Sequence, residues 1–126
     1  MRRRIFLVPM LVLLMGHDHG GCGGATGSPT EATCDPRLTY DNFGQAFMTT
    51  YCTRCHSSEV AGGQRRGAPD DHDYDTREGV QADPTHIELA SAMGPAAKNS
   101  RMPPYGAMPT DHERELLGQW LACGAP

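Results

Sequence analysis

Cys52-Thr53-Arg54-Cys55-His56 puts two thiols and an imidazole within five positions, and no other feature of this chain restricts its fold as strongly. A cluster of that kind serves a structural metal, a thiol–disulfide exchange or the attachment of a prosthetic group, and each use needs a different chain around it. Here the chain has 126 residues with one tryptophan, four tyrosines and three phenylalanines, and its mean hydropathy is −0.50. Such a composition builds a thin core for one domain, so a cofactor or covalent staple is expected to supplement it.

The first residues do not read as part of that domain. Met1-Arg2-Arg3-Arg4 is cationic, Ile5 to Met15 is an unbroken apolar run, and glycine and polar residues follow from Gly16. That is the layout of an export signal over residues 1–21. The apolar run is too short for a bilayer span. His19-Gly20-Gly21-Cys22 has the small residues and cysteine of a lipoprotein site, with histidine where an aliphatic residue is usual. Lipidation at Cys22 and ordinary cleavage after Ala25 are both open. Either way the protein is expected to be exported, to the periplasm or to a membrane surface through lipid at Cys22. Residues 22–33, rich in Gly, Ser, Thr and Pro, carry too little apolar surface to order themselves and read as a flexible linker before a folded domain over 34–126.

The whole chain has 11 Lys and Arg against 15 Asp and Glu; residues 1–21 hold three arginines and one aspartate, and without them eight basic face fourteen acidic residues, a net −6. That balance excludes nucleic acid as an expected ligand and favours protein partners with basic docking surfaces.

Of five cysteines, Cys34 and Cys123 remain once Cys22 and the central pair are assigned. In an oxidising compartment two leftover cysteines are expected to pair. Their bond closes nearly the whole domain, worth about 4–5 kcal/mol in the chain-entropy account, and it requires the first and last elements to meet.

Phe43, Phe47 and Tyr51 recur at i+4 steps, with Gly44 and Met48 on the adjacent row, which predicts a helix over 40–52 running into the cluster. Gly62-Gly63, Gly67 and Pro69 mark a long irregular loop over 57–71. Asp75 with Glu78 resembles a capping pair for a short helix over 76–82. Pro84, Ile87, Leu89, Ala90 and Met93 suggest another helix, ending near Gly94-Pro95. The proline-rich stretch 94–109 should be extended loop. Thr110 with Glu113 forms a capping box for a last helix, with Leu116, Leu117, Trp120 and Leu121 on one face and Gly124 as its stop. Strand signals are nearly absent, so the fold class is all-α.

A structural zinc needs four ligands, and no second close pair of cysteines exists here. A thioredoxin-type pair opens a helix after a strand, whereas these cysteines follow a helix in a strandless chain. Covalent attachment of haem meets neither objection: two thiols bind the porphyrin vinyl groups, and the next residue, His56, is carried beneath the iron.

With these residues in view, the chain resembles the small class I c-type cytochromes of bacteria over about residues 38–123. In them the haem motif follows an N-terminal helix and a methionine precedes a C-terminal helix. Gly44 matches the glycine eight positions before the first cysteine, Met48 replaces the usual aromatic four before it, and Trp120 is the expected aromatic of the crossing last helix. The ending "WLACGAP" is similar to small lipoprotein cytochromes. The resemblance implies crossed N- and C-terminal helices around one covalently bound haem c, held by Cys52, Cys55 and His56. Arg101-Met102-Pro103-Pro104 is similar to the family's ligand loop, which makes Met102 the first choice for the sixth iron position. Met108, before Pro109, is the second choice and Met93 the third. With both axial positions filled the iron changes charge without changing ligands. The implied function is one-electron transfer between periplasmic or membrane redox partners, with no catalytic residue. The alternatives are a haem enzyme or sensor with an open sixth position, and a haem subunit of a larger oxidoreductase.

Other residues invite weaker readings. Asp70, Asp71, Asp73 and Asp75 do not fit a calcium loop, because Thr76 and Ala82 fall where glycine and glutamate are needed. Arg65 and Arg66 read as propionate contacts or as a plain surface pair. His72, His86 and His112 lack ligand spacing and read as surface residues.

Overall fold

Thr39 starts the first helix by a reciprocal cap: its hydroxyl accepts from Asn42 N at 3.2 Å, and its own N–H donates to Asn42 Oδ1 at 2.8 Å. In the computed structural model, which describes residues 26–126, a π-type turn over Tyr40–Gly44 leads directly into α1, Gln45–Tyr51. The expected export signal, the lipidation candidate Cys22 and the alternative cleavage point lie outside the described residues. The Gly-rich loop contains a single 3₁₀ turn, Gly62–Arg65. Three further helices follow: α2 (Arg77–Ala82), α3 (Pro84–Ser91) and α4 (Asp111–Ala122). Among the described residues the extended pairing is limited to one isolated bridge, Met93 with Lys98. The all-α expectation holds.

The aromatic row forms as the i+4 spacing requires. Phe43 and Phe47 rings lie 5.5 Å apart, Phe47 and Tyr51 4.9 Å apart. Trp120 of α4, fully buried, meets Phe43 edge-on at 5.8 Å and Tyr40 at 6.4 Å. It also lies flush on Gly44, where any Cβ would overlap its six-membered ring. The first and last helical segments therefore touch backbone-to-ring, and glycine is needed for the approach itself, since the position is ordinary αR helix. The buried Met48 joins the same core with Leu117, Val80, Ile87 and Tyr74. α3 packs on α4, and Gly118 lets the Met93 carbonyl come close to the α4 backbone. Cys34 and Cys123 are joined by a disulfide with Cα atoms 4.8 Å apart, 89 residues apart in sequence. The meeting of the ends that this bond needs is supplied by Trp120 on Gly44.

Three expectations change. α2 is capped by Thr76, whose hydroxyl accepts from Gly79 N at 3.1 Å, and not by an Asp75–Glu78 pair; Asp75 instead accepts from Ser58 N at 2.6 Å across the loop. α3 ends at Ser91, three residues early, because Met93 N turns away to donate to the Arg114 carbonyl of α4 at 2.9 Å. Residues 28–32 are docked on the domain although their composition reads as linker. Thr30 is fully buried, and its N–H and hydroxyl both donate to Glu88 Oε1 at 2.8 and 2.7 Å. Asn99 brackets Ser28, accepting from its N–H at 3.1 Å and donating to its carbonyl at 2.8 Å. Polar bonds to a charged acceptor order this segment in place of apolar burial.

Candidate functional site

The turn that ends α1 builds the cluster. Met48 O accepts from both Cys52 N and Thr53 N, and Cys52 O accepts from both Cys55 N (3.1 Å) and His56 N (3.0 Å). One carbonyl thus ties the end of the motif back to its start. Both thiols are free, and Cys52, Cys55 and His56 line one cavity of about 360 Å³. Burial pushes the Cys52 thiol up to about 12, so it stays a neutral thiol at physiological pH.

His56 is held in one tautomer. Its Nδ1 lies 3.0 Å from the His72 carbonyl; a carbonyl only accepts, so Nδ1 carries the proton and Nε2 keeps a free lone pair. Burial lowers the His56 pKa, keeping the ring neutral, which is the form that binds a metal. The ring stacks on Tyr74 at 4.9 Å and 22°, while Tyr74 N donates to the His56 carbonyl at 3.0 Å.

The acceptor carbonyl is itself positioned by Arg65. This arginine is not a surface residue: it is 4% exposed and lines the cavity. Its guanidinium donates to Ser57 O and Asp73 Oδ1 at 2.8 Å, to Pro69 O at 2.5 Å and to His72 O at 3.3 Å. It thereby organises the glycine-rich loop around the back of His56. Arg66 takes the exposed alternative, stacked 4.9 Å over the Tyr105 ring. Asp70 is exposed beside Arg65 at 3.4 Å, so the acidic run is divided among loop contacts. His72 and His86 also depart from the surface reading, since both line the cavity; His112 is exposed as expected.

The opposite wall comes from the loop over 94–109. Met102, Pro103, Pro104, Tyr105 and Ala107 line the cavity. Met108 is 50% exposed and does not line it, and neither does Met93. Met102 is anchored through its backbone: its N–H donates to Ala90 O at 2.9 Å, and its carbonyl accepts from Arg114 Nη1 at 3.0 Å and Ser91 Oγ at 3.3 Å. Arg114, 3% exposed, also donates from Nη1 to Ser91 O (2.7 Å) and Asn99 O (3.1 Å). Sequence reading passed over Arg114, and its one visible signal was a charged residue on the apolar side of the last helix.

The donor set suits a porphyrin attached through sulfur: two unoxidised thiols, one imidazole with a free Nε2 and one thioether on a single, largely apolar cavity. The family model for cytochrome c matches residues 43–122. The chain belongs to the cytochrome c family. Neither a curated protein nor a solved structure matches it. Cytochromes c bind haem c covalently, one haem being typical of a single domain, and this chain is a haem-binding electron carrier. The matched segment runs from Phe43, in the turn before α1, through the cluster to the end of α4, so it takes in every cavity residue named above.

Proposed function

We propose that this cytochrome is a class I, monohaem, exported protein that passes single electrons between redox proteins of the periplasm or membrane. In this reading Cys52 and Cys55 attach the haem, His56 Nε2 and Met102 Sδ are the axial ligands, and Cys22 bears a lipid anchor. The observation that carries it is the pairing of His56 and Met102 on one cavity, each held through atoms other than the ligating one. Haem, when bound, supplies the one-electron couple. His56 offers a neutral nitrogen whose direction is set by the bond to His72 O. Met102 offers a soft sulfur, which favours the reduced state and raises the potential. Its backbone is tied at both the N–H and the carbonyl, so little conformational entropy is lost in presenting that sulfur. The net negative charge suits partners with basic docking faces.

The test is an absorption spectrum of the haem-loaded protein. A weak near-infrared sulfur–iron band is expected in wild type and Met108→Ala and is expected to vanish in Met102→Ala. A wild type that lacks the band and takes up carbon monoxide readily has an open iron position, and the carrier reading gives way to an enzyme or sensor.

A further inference from the structure

Behind the stacked His56 and Tyr74, a second group of ligand-type side chains converges. His72 on the loop, Asp83 between α2 and α3 and His86 one turn into α3 each present a ligand atom, and these atoms all lie within 4.8 Å of one another. Asp83 Oδ2 stands 3.6 Å from His72 Nε2 and 3.9 Å from His86 Nδ1. Both separations are too long for hydrogen bonds, so the imidazoles face the carboxylate without bonding to it. The two rings meet edge-on at 4.6 Å. His72 Nδ1, the other ring nitrogen, is buried without any partner. Asp83 is oriented from behind by the Tyr74 hydroxyl, which donates to Oδ2 at 3.0 Å. Asp71 Oδ1 lies 3.8 Å from His72 Nε2.

We propose that His72, Asp83 and His86 form a binding site for a borderline divalent transition-metal ion of the zinc class, separate from the haem ligands. Two imidazoles and one carboxylate are the ligand set such ions prefer over calcium or magnesium. With metal–ligand bonds of about 2.0–2.2 Å, tetrahedral neighbours sit about 3.3 Å apart, so the two Asp83 distances need contract by only about 0.3–0.6 Å. Asp83 and His86 share a helix start at i, i+3, which fixes their spacing, while His72 closes the site from the loop. Asp83, with a side chain 28% exposed, does not line the haem cavity, which leaves a side from which an ion can enter and water can complete its shell. The bond from Tyr74 to Asp83 is the outer-shell contact that orients a metal-binding carboxylate. Because His72 and His86 also line the haem cavity, a bound dication favours the less positive reduced haem, and reduction tightens the ion by the same factor. That linkage rests on the haem reading; the metal site does not.

The experiment is calorimetric titration of Zn²⁺ into the haem-loaded full chain at neutral pH, with the haem spectrum recorded on the same samples. Wild type is expected to bind one Zn²⁺ saturably. His86→Ala and Asp83→Asn are expected to weaken it at least tenfold, and His112→Ala, which removes an exposed histidine beside Glu115, to leave it unchanged. Absence of saturable uptake by wild type, or wild-type affinity in His86→Ala with an intact haem spectrum, overturns the site. Intact zinc binding beside a spectrum without haem ligation sinks the haem reading and leaves the metal site standing. A tenfold preference of zinc for the reduced protein appears as a midpoint raised by about 59 mV, and an unmoved midpoint under saturating zinc removes the linkage.

Discussion

Arg114→Met is the most informative single change, because it keeps an unbranched apolar stem in the buried position and removes the charged guanidinium with its donors. Arg114 Nη1 serves three carbonyls, those of Ser91, Asn99 and Met102, at 2.7, 3.1 and 3.0 Å. One guanidinium nitrogen has two protons, so these amount to two full charge-assisted bonds, one of them shared. Each such bond is worth about 1.5–3 kcal/mol. Relief of the cost of burying the guanidinium charge, which burial already disfavours, offsets part of the sum. A net loss of about 3 kcal/mol follows, or a fall in Tm of about 12–24 °C for a domain near 100 residues. Because Met102 loses its carbonyl clamp, the ligand loop should loosen before the rest. The assay is a guanidinium titration followed by far-UV circular dichroism and by the sulfur–iron band. The band is expected to disappear at lower denaturant in the variant, with a smaller displacement of the helical signal. Equal displacement of both signals, or no change in either, would refute a clamp centred on Met102.

Gly44→Ala drives a Cβ into the Trp120 ring, and overpacking of this kind costs about 1–3 kcal/mol, measurable as a lower denaturation midpoint. Cys34→Ser with Cys123→Ser opens a loop of 89 residues; the loss should reach about 4–5 kcal/mol if chain entropy dominates, and reduction of wild type should mimic it. Glu113 accepts from Thr110 N and Oγ1 and from Tyr51 OH, and these bonds lower its pKa in the folded state below the ordinary 4.5. Its stabilisation is therefore present above about pH 4.5 and fades as the pH falls through the lowered folded value. Glu113→Gln should flatten that acid limb of the stability–pH curve.

What the sequence determined by itself is the chemistry that residue identity and short spacing encode. Two thiols and an imidazole in five positions allow three uses, and the lack of a second close cysteine pair and of strand signals, both readable along the chain, leaves haem attachment. The i+4 aromatics and the Thr110–Glu113 box were legible because both ends of each interaction lie within one or two turns. The Thr76 cap was misplaced by one residue, an error within the fraying range of helix ends. Tertiary structure alone decided how the ligands are held. Arg65 and Arg114 work by donating to backbone carbonyls, which every residue possesses, so no pattern of side chains announces their partners. The docking of Ser28 and Thr30 depends on Asn99 and Glu88, 71 and 58 positions away. The meeting of His72 with Asp83 and His86 likewise depends on Arg65 folding the glycine-rich loop back on itself. Local chemistry is written in the order of residues, whereas these bonds exist only once the chain has brought distant backbone into reach.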